Sequence, residues 1–154
     1  MAELQVLDGD TIQYIVVKIG DEEYGINISY VDNIIRMQKI TRVPKAQSYF
    51  KGVINLRGEI VPVMSIRKKM GLEEAETTGK SRIIVLKVEE HGALGIIVDA
   101  VNEVVTLSPE QIDKPARDSK SAKNSFIDGI GKNGDELISL FDINSILDEK
   151  EVVS

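Results

Sequence analysis

The chain reads as a mainly β protein built from small barrels or a sandwich. Three observations predict this class. Short runs rich in β-branched residues recur along the 154 residues, clusters of Gly, Asn and Asp separate them, and helix signals are few and short. The pattern is plainest between Gly52 and Met64, where two apolar runs flank Asn55-Leu56-Arg57-Gly58-Glu59. This predicts a hairpin with strands over 52–56 and 59–65 that reverses near Gly58. Pro62 donates no backbone hydrogen bond, so it should face an edge or a bulge. Arg57 stands at the reversal, either as solvated surface or as a binding group.

In chain order, residues 1–10 show little periodicity and are expected to fray. Thr11–Ile19 is a strand, Gly20-Asp21-Glu22-Glu23 a turn, and Tyr24–Ile28 the returning strand. Tyr30–Met37 fits either a short helix, through Val31, Ile34 and Ile35, or a turn entering a strand. Ile40–Val43 is extended because Val43 precedes Pro44. Ala46–Phe50 is read as one helical turn that packs Tyr49 or Phe50 on the core. After the hairpin, Ile66–Met70 is a short helix closed by Gly71, with Arg67, Lys68 and Lys69 near its C-terminal end. Leu72–Lys80 is polar and is the best candidate for a linker between lobes. Ser81–Val88 and Ala93–Val98 are strands joined by a turn through Glu89 and His91.

Val101–Leu107 is a further strand. Ser108-Pro109-Glu110-Gln111 starts a helix, with a serine cap, proline at the first position and glutamine reaching back. Lys114–Asn124 is expected to be an exposed loop. Ser125–Ile130 and Glu136–Phe141 pair through a hairpin turn at Lys132-Asn133-Gly134-Asp135. Asp142 caps a C-terminal helix that places Ile143, Ile146 and Leu147 on one face and stops near Lys150. Strand, acidic turn and glycine-containing strand thus occur twice. Gly25-Ile26-Asn27-Ile28 and Gly95-Ile96-Ile97-Val98 take comparable places, which suggests an internal duplication.

Composition narrows the function. Cysteine is absent, which excludes disulfides, thiolate metal sites and thiol catalysis. No apolar run is long enough to span a membrane and no signal peptide is visible, so a cytoplasmic location is expected. The net charge of −6 is unevenly spread: from Ile34 to Met70, nine basic residues face Glu59 alone, leaving +8 there and −14 elsewhere. That asymmetry suggests a basic face for an acidic partner, unless the charges point in different directions.

Apparent active-site motifs fail on context. Gly129-Ile130-Gly131-Lys132-Asn133-Gly134 has the dinucleotide spacing, but no helix follows it. Gly79-Lys80-Ser81 lacks the first glycine of a phosphate loop and sits among glutamates. His91 is the only histidine, so no zinc site is expected. Asp99 and Asp142 follow apolar strands, where carboxylates cap turns and helices more often than they catalyse. No catalytic residue, metal site or cofactor is expected, and a binding module is favoured.

Gly52-Val53-Ile54-Asn55-Leu56-Arg57-Gly58, continued by Ile60-Val61-Pro62-Val63 and Ile66-Arg67, resembles the signature of the CheW-type chemotaxis coupling proteins. Gly20-Asp21-Glu22-Glu23-Tyr24-Gly25-Ile26, Gly95–Asp99, Ile127–Ile130 and Leu137–Ile143 extend the resemblance over roughly Thr11 to Leu147. One departure is Ser65, where the family commonly has aspartate, which puts a local cap or an ion pair with Arg67 in question.

The resemblance implies two packed five-stranded SH3-like barrels with a few short helices and a C-terminal helix over 142–150. They would form one domain over 11–149, with approximate lobes 11–71 and 80–142 and strand exchange between them left open. It further implies a non-catalytic adaptor that joins chemoreceptor signalling tips to the histidine kinase CheA in arrays at the membrane, without inserting into it. The receptor's helical tip would meet Val31, Asn33, Ile34, Asn55, Arg57 and Val104, with Arg57 as polar anchor. The regulatory domain of CheA would meet the first barrel around Tyr30, Arg36, Ile40 and Val43. A CheV-like or kinase-derived module would need further domains for which this chain has no room. The alternative from another class is a small-barrel module whose basic face binds nucleic acid or another acidic partner. For nucleic acid it offers only Tyr49 and Phe50 as stacking aromatics in the basic third, so nucleic acid is not an expected partner.

Overall fold

The computed structural model describes residues 10–88, 92–114 and 126–147. The expectations for the fraying N-terminus up to Gly9, the turn at His91, the loop over 115–124 and the helix end near Lys150 lie outside them. Among the described residues eleven strands form two antiparallel-rich sheets, and the chain divides into two compact units. The fold is mainly β, as the sequence predicts, and of the SH3-like barrel class, as the family resemblance implies.

The unit covering residues 30–101 is continuous in sequence. Its strands are β3 (Val31–Arg36), β4 (Phe50–Leu56), β5 (Glu59–Ser65), β6 (Arg82–Val88) and β7 (Gly92–Val98). They lie in the order β3-β6-β7-β5-β4, with β5 and β7 parallel. Period-two alternation sends Ile54, Val61, Val63, Ile83 and Val85 to one interior, against which Ile35, Met37 and Ile40 also pack. The open question at Tyr30–Met37 resolves as a 3-10 turn over Ile28–Tyr30 followed by β3. The segment after β3 bends back until Thr41 bridges Val53 of β4. Ala46–Phe50 is a turn rather than a helical one, closed by the Phe50 amide on the Gln47 carbonyl at 3.0 Å, and Tyr49 is the residue it buries. Pro62 is not on an edge strand. It lies opposite Val53 in a central strand, one residue before the first β5–β7 register pair, so its missing N–H falls where that ladder has not begun.

The short helix α1 (Ile66–Lys69) follows β5, and Gly71 takes φ +80 just beyond it. The Ser65 hydroxyl accepts the Lys68 amide at 3.2 Å, so the cap survives the departure from aspartate. Arg67 keeps an ion pair too, donating to Asp99 at 2.6 Å and to the Glu73 carbonyl at 2.9 Å. Leu72–Lys80 is therefore no linker between units: it belongs to this one, and Glu74 also approaches Lys51 and Lys68.

The other unit joins residues 1–29 to 102–154. It contains β1 (Ile12–Ile19), β2 (Glu22–Asn27), β8 (Ala100–Leu107, entering at Asn102), β9 (Ile112–Asp113), β10 (Ile127–Asn133), β11 (Glu136–Phe141) and helix α2 (Ile143–Leu147). The sheet order is β8-β1-β2-β11-β10-β9. This corrects the sequential lobes 11–71 and 80–142: the hairpin over 12–27 completes a sheet whose other strands come from the chain's second half. It also corrects the strand count, because the two-residue β9 makes this sheet six-stranded. Tyr14, Val16, Val105, Leu107, Ile138 and Leu140 form its interior. The Asp142 carboxylate accepts the Ser145 hydroxyl at 2.8 Å and the Ser145 amide at 3.4 Å, capping α2 as expected, with Ile143 and Ile146 buried. The Gln111 side chain accepts the Ser108 amide at 2.9 Å, but the helix it opens is only the 3-10 turn Pro109–Gln111.

The glycines at 129, 131 and 134 serve packing and a turn. A Cβ on Gly131 would lie 2.5 Å from Leu107, one on Gly129 would lie 3.1 Å from Ile112, and Gly134 turns the β10–β11 hairpin at φ +64.

Gly52 carries the tightest approach: at φ +143, a side chain there would strike the Thr41 carbonyl that bonds Val53. Gly52→Ala is expected to lower unfolding stability by about 2 kcal/mol or more, read from the urea midpoint. A second expectation concerns Asp128. Its carboxyl is pushed above the ordinary range by partial burial and then by Asp142, with Lys114 opposing, although the residue keeps solvent access. The folded state thus binds this proton more tightly than the unfolded one, and that contribution is lost as pH rises through the folded value. Asp128→Asn should melt higher than the wild type at pH 7, and the difference should shrink toward about pH 4.

Candidate functional site

The residues singled out for receptor contact lie at three places, two on strands and one at a hairpin. Val31, Asn33 and Ile34 lie on β3, whose register against β6 slips between Val31 and Asn33. That irregularity sets Ile34 outward, 38% exposed, while Ile35 packs inward. The Asn33 carboxamide accepts the Ile34 amide at 2.9 Å. Asn55 and Arg57 lie at the β4–β5 hairpin of the same unit. Val104 lies on β8 in the other unit, 51% exposed between Glu103 and the buried Val105.

The hairpin is a two-residue loop closed by the Leu56–Glu59 pair. Arg57 and Gly58 both have positive φ, at +52 and +86, the combination a right-twisted hairpin favours. The Asn55 carboxamide accepts the Gly58 amide at 3.1 Å, so Asn55 shapes the loop that presents Arg57. Glycine takes such a conformation freely, whereas a side chain such as arginine is strained by about 1 kcal/mol. Arg57 is exposed, and among the described residues nothing accepts from its guanidinium.

Sequence reading missed Ile60. It pairs with Asn55 across the hairpin, so both point to one face, and it is 63% exposed. The signal was available: once Ile54 and Val61 point inward, alternation turns Ile60 outward.

The positions expected to meet the kinase are less uniform. Tyr30 is half-buried at the end of its 3-10 turn, and Arg36 is exposed opposite Arg82. Ile40 packs partly against the core, while Val43 is 46% exposed. The structure places all four in one unit.

The basic third does not form a single face. Arg67 is paired with Asp99, and Lys69 is buried with its ammonium 4.3 Å from the centre of the Tyr49 ring. Arg42, Lys45, Lys51 and Lys68 instead gather on one cleft of about 580 Å³. Among the described residues there is no group of acids or histidines that could hold a metal ion, and no helix is long and apolar enough to cross a membrane.

Residues 13–151 match the family model described as the CheW-like domain. The chain is 35% identical to the chemotaxis protein CheW of Bacillus subtilis, over 88% of this chain and 86% of that one. It is 31% identical to the chemotaxis protein CheW of Klebsiella aerogenes, over 99% and 92%. Its fold matches a crystal structure of the scaffolding protein TtCheW from Thermoanaerobacter tengcongensis with a TM-score of 0.78, at 30% identity, covering 85% of this chain and 88% of that one.

The strain at Arg57 gives a direct expectation. Arg57→Asn creates the Asn-Gly pair this loop prefers and should raise the thermal midpoint, by up to about 1 kcal/mol in stability. A fall would mean that the arginine side chain holds the hairpin together.

Proposed function

This chain belongs to the CheW-like domain family, and from that premise we propose that it is a non-catalytic chemotaxis adaptor coupling receptor signalling tips to the histidine kinase CheA. The observation that carries this reading to a site is Arg57. An exposed cation without a partner among the described residues is held in left-handed backbone at a hairpin tip, a conformation that asparagine or glycine adopts more easily. Such strain is better accounted for by a binding role than by stability.

In this reading the receptor's helical tip packs apolar side chains on Val31 and Ile34. Arg57 holds a carboxylate or helix-end carbonyls, and Asn33 and Asn55 fix the adjoining backbone. Val104, exposed on β8, is a separate apolar candidate for receptor contact. The kinase's regulatory domain meets the edge at Tyr30, Arg36, Ile40 and Val43. Each contact is modest, and assembly draws its strength from several being made at once. Receptor state reaches the kinase as a shift in population between active and inactive forms, with the adaptor binding no nucleotide. The protein then works in the cytoplasm, recruited to membrane receptor arrays.

Autophosphorylation of CheA, measured on receptor membranes with and without this protein, tests the reading. Kinase activity and its control by receptor ligand should appear only when the wild-type chain is added, and folded Arg57→Glu should lose both. No response from a demonstrably competent receptor and kinase would exclude the coupling role in that pathway.

A further inference from the structure

Arg42, Lys45, Lys51 and Lys68 line their cleft together with Val43, Pro44 and the half-buried Phe50. One carboxylate oxygen of Glu74 lies 3.8 Å from the Lys51 ammonium and 3.9 Å from that of Lys68. Two cations therefore share a single acid at distances too long for direct hydrogen bonds. Arg42 and Lys45 have no acidic partner among the described residues, and Lys45 sits in left-handed backbone at φ +66. The cleft keeps a surplus of positive charge, and the anion already drawn to it is a carboxylate.

We propose that this cleft docks an acidic segment of a partner protein, with Glu74 as the internal carboxylate that the segment displaces. Its carboxylates would meet Lys51 and Lys68 on one side and Arg42 and Lys45 on the other, while an apolar side chain rests on Val43 and Phe50. Nucleic acid fits less well. The chain's net charge of −6 repels a long polyanion, the cations surround a short cleft rather than a stripe, and Phe50 offers little exposed ring for stacking. Val43 is also one of the proposed kinase contacts, so the inference rests on the adaptor reading for the partner's identity but not for its chemistry.

The test titrates the full chain into a fluorescein-labelled octapeptide of alternating glutamate and leucine, read by anisotropy at low salt. Saturable binding is expected. Lys51→Gln combined with Lys68→Gln should weaken it about tenfold. Glu74→Gln should strengthen it several-fold by removing the competitor. Circular dichroism checks the folding of each variant, and Lys51→Gln alone serves if the double variant does not fold. Unchanged affinity in the lysine variants, or no gain in Glu74→Gln, would overturn the proposal. So would tighter binding of an oligothymidylate of equal charge, which would make the cleft a nucleic-acid site. Failed peptide binding with kinase coupling intact removes only the docking site, whereas intact peptide binding without coupling removes only the adaptor reading.

Discussion

A curled sheet has two edges whose backbone groups need partners, and each unit of this protein meets that need with one bent segment. Between residues 30 and 101 the segment begins as β3, paired with β6, and ends at Thr41, paired with Val53 by hydrogen bonds of 2.9 and 2.8 Å. Because those two bonds bridge the segment to β4 at that end, what permits them matters more than their number suggests. Gly52 permits them: its missing Cβ leaves the Thr41 carbonyl room, and its positive φ lets β4 bend where its register against β5 shifts. Arg42 and Val43 follow Thr41 directly and line the cleft, so the bridge that closes the sheet also anchors one side of the candidate contact surface.

The second unit repeats the device. β8 lies beside β1, and after the 3-10 turn at Pro109–Gln111 the chain becomes β9 and pairs with β10. Strand for strand, β8, β1, β2, β11 and β10 correspond to β3, β6, β7, β5 and β4, and a short helix follows both β5 and β11. Gly25 opposite Leu140 and Gly95 opposite Val63 hold equivalent places in the parallel pairs. The suspected duplication is therefore real at the level of topology, but permuted: in one copy the β6–β7 equivalent comes from the start of the chain.

That permutation marks where sequence reading stops. Hairpins such as 12–27 and 50–65 were legible because their partners are neighbours and their turns have chemical signatures. The caps at Ser108–Gln111 and Asp142 were legible for the same reason, whereas the one at Ser65 was not, since serine there departs from the family's aspartate. The pairing of Tyr24 with Ser139 has no local signature, since either strand would look the same beside another partner. Sequential lobes were the simplest reading of a linear string, and the parallel β2–β11 pair overturns them. At the candidate site, the turn made Arg57 legible as an exposed residue, while its role as a contact, and that of Asn55, came only from the family resemblance. The strain at Arg57 was not legible, because a backbone angle is fixed only once both flanking strands are paired.

Charge separates the two copies of the topology. Over residues 30–101, twelve Lys and Arg face eight Asp and Glu, giving +4, and the remainder of the chain carries −10. Topology alone would let either copy offer an equivalent bent segment to a partner. Charge breaks that equivalence, because an acidic partner is attracted to one and repelled by the other, and wrong pairings are discouraged before any close packing is made. Within the basic unit much of the charge is already committed: Arg67 to Asp99, Lys69 to the Tyr49 ring, and Lys51 and Lys68 in part to Glu74. Among the cations not so committed are Arg57 at the hairpin tip, Arg36 on β3 and Arg42 and Lys45 at the cleft, and two of these, Arg57 and Lys45, sit on backbone held out of its easiest conformation. A duplicated fold can thus acquire distinct partners through a few exposed charges on loops while the paired strands beneath them stay the same.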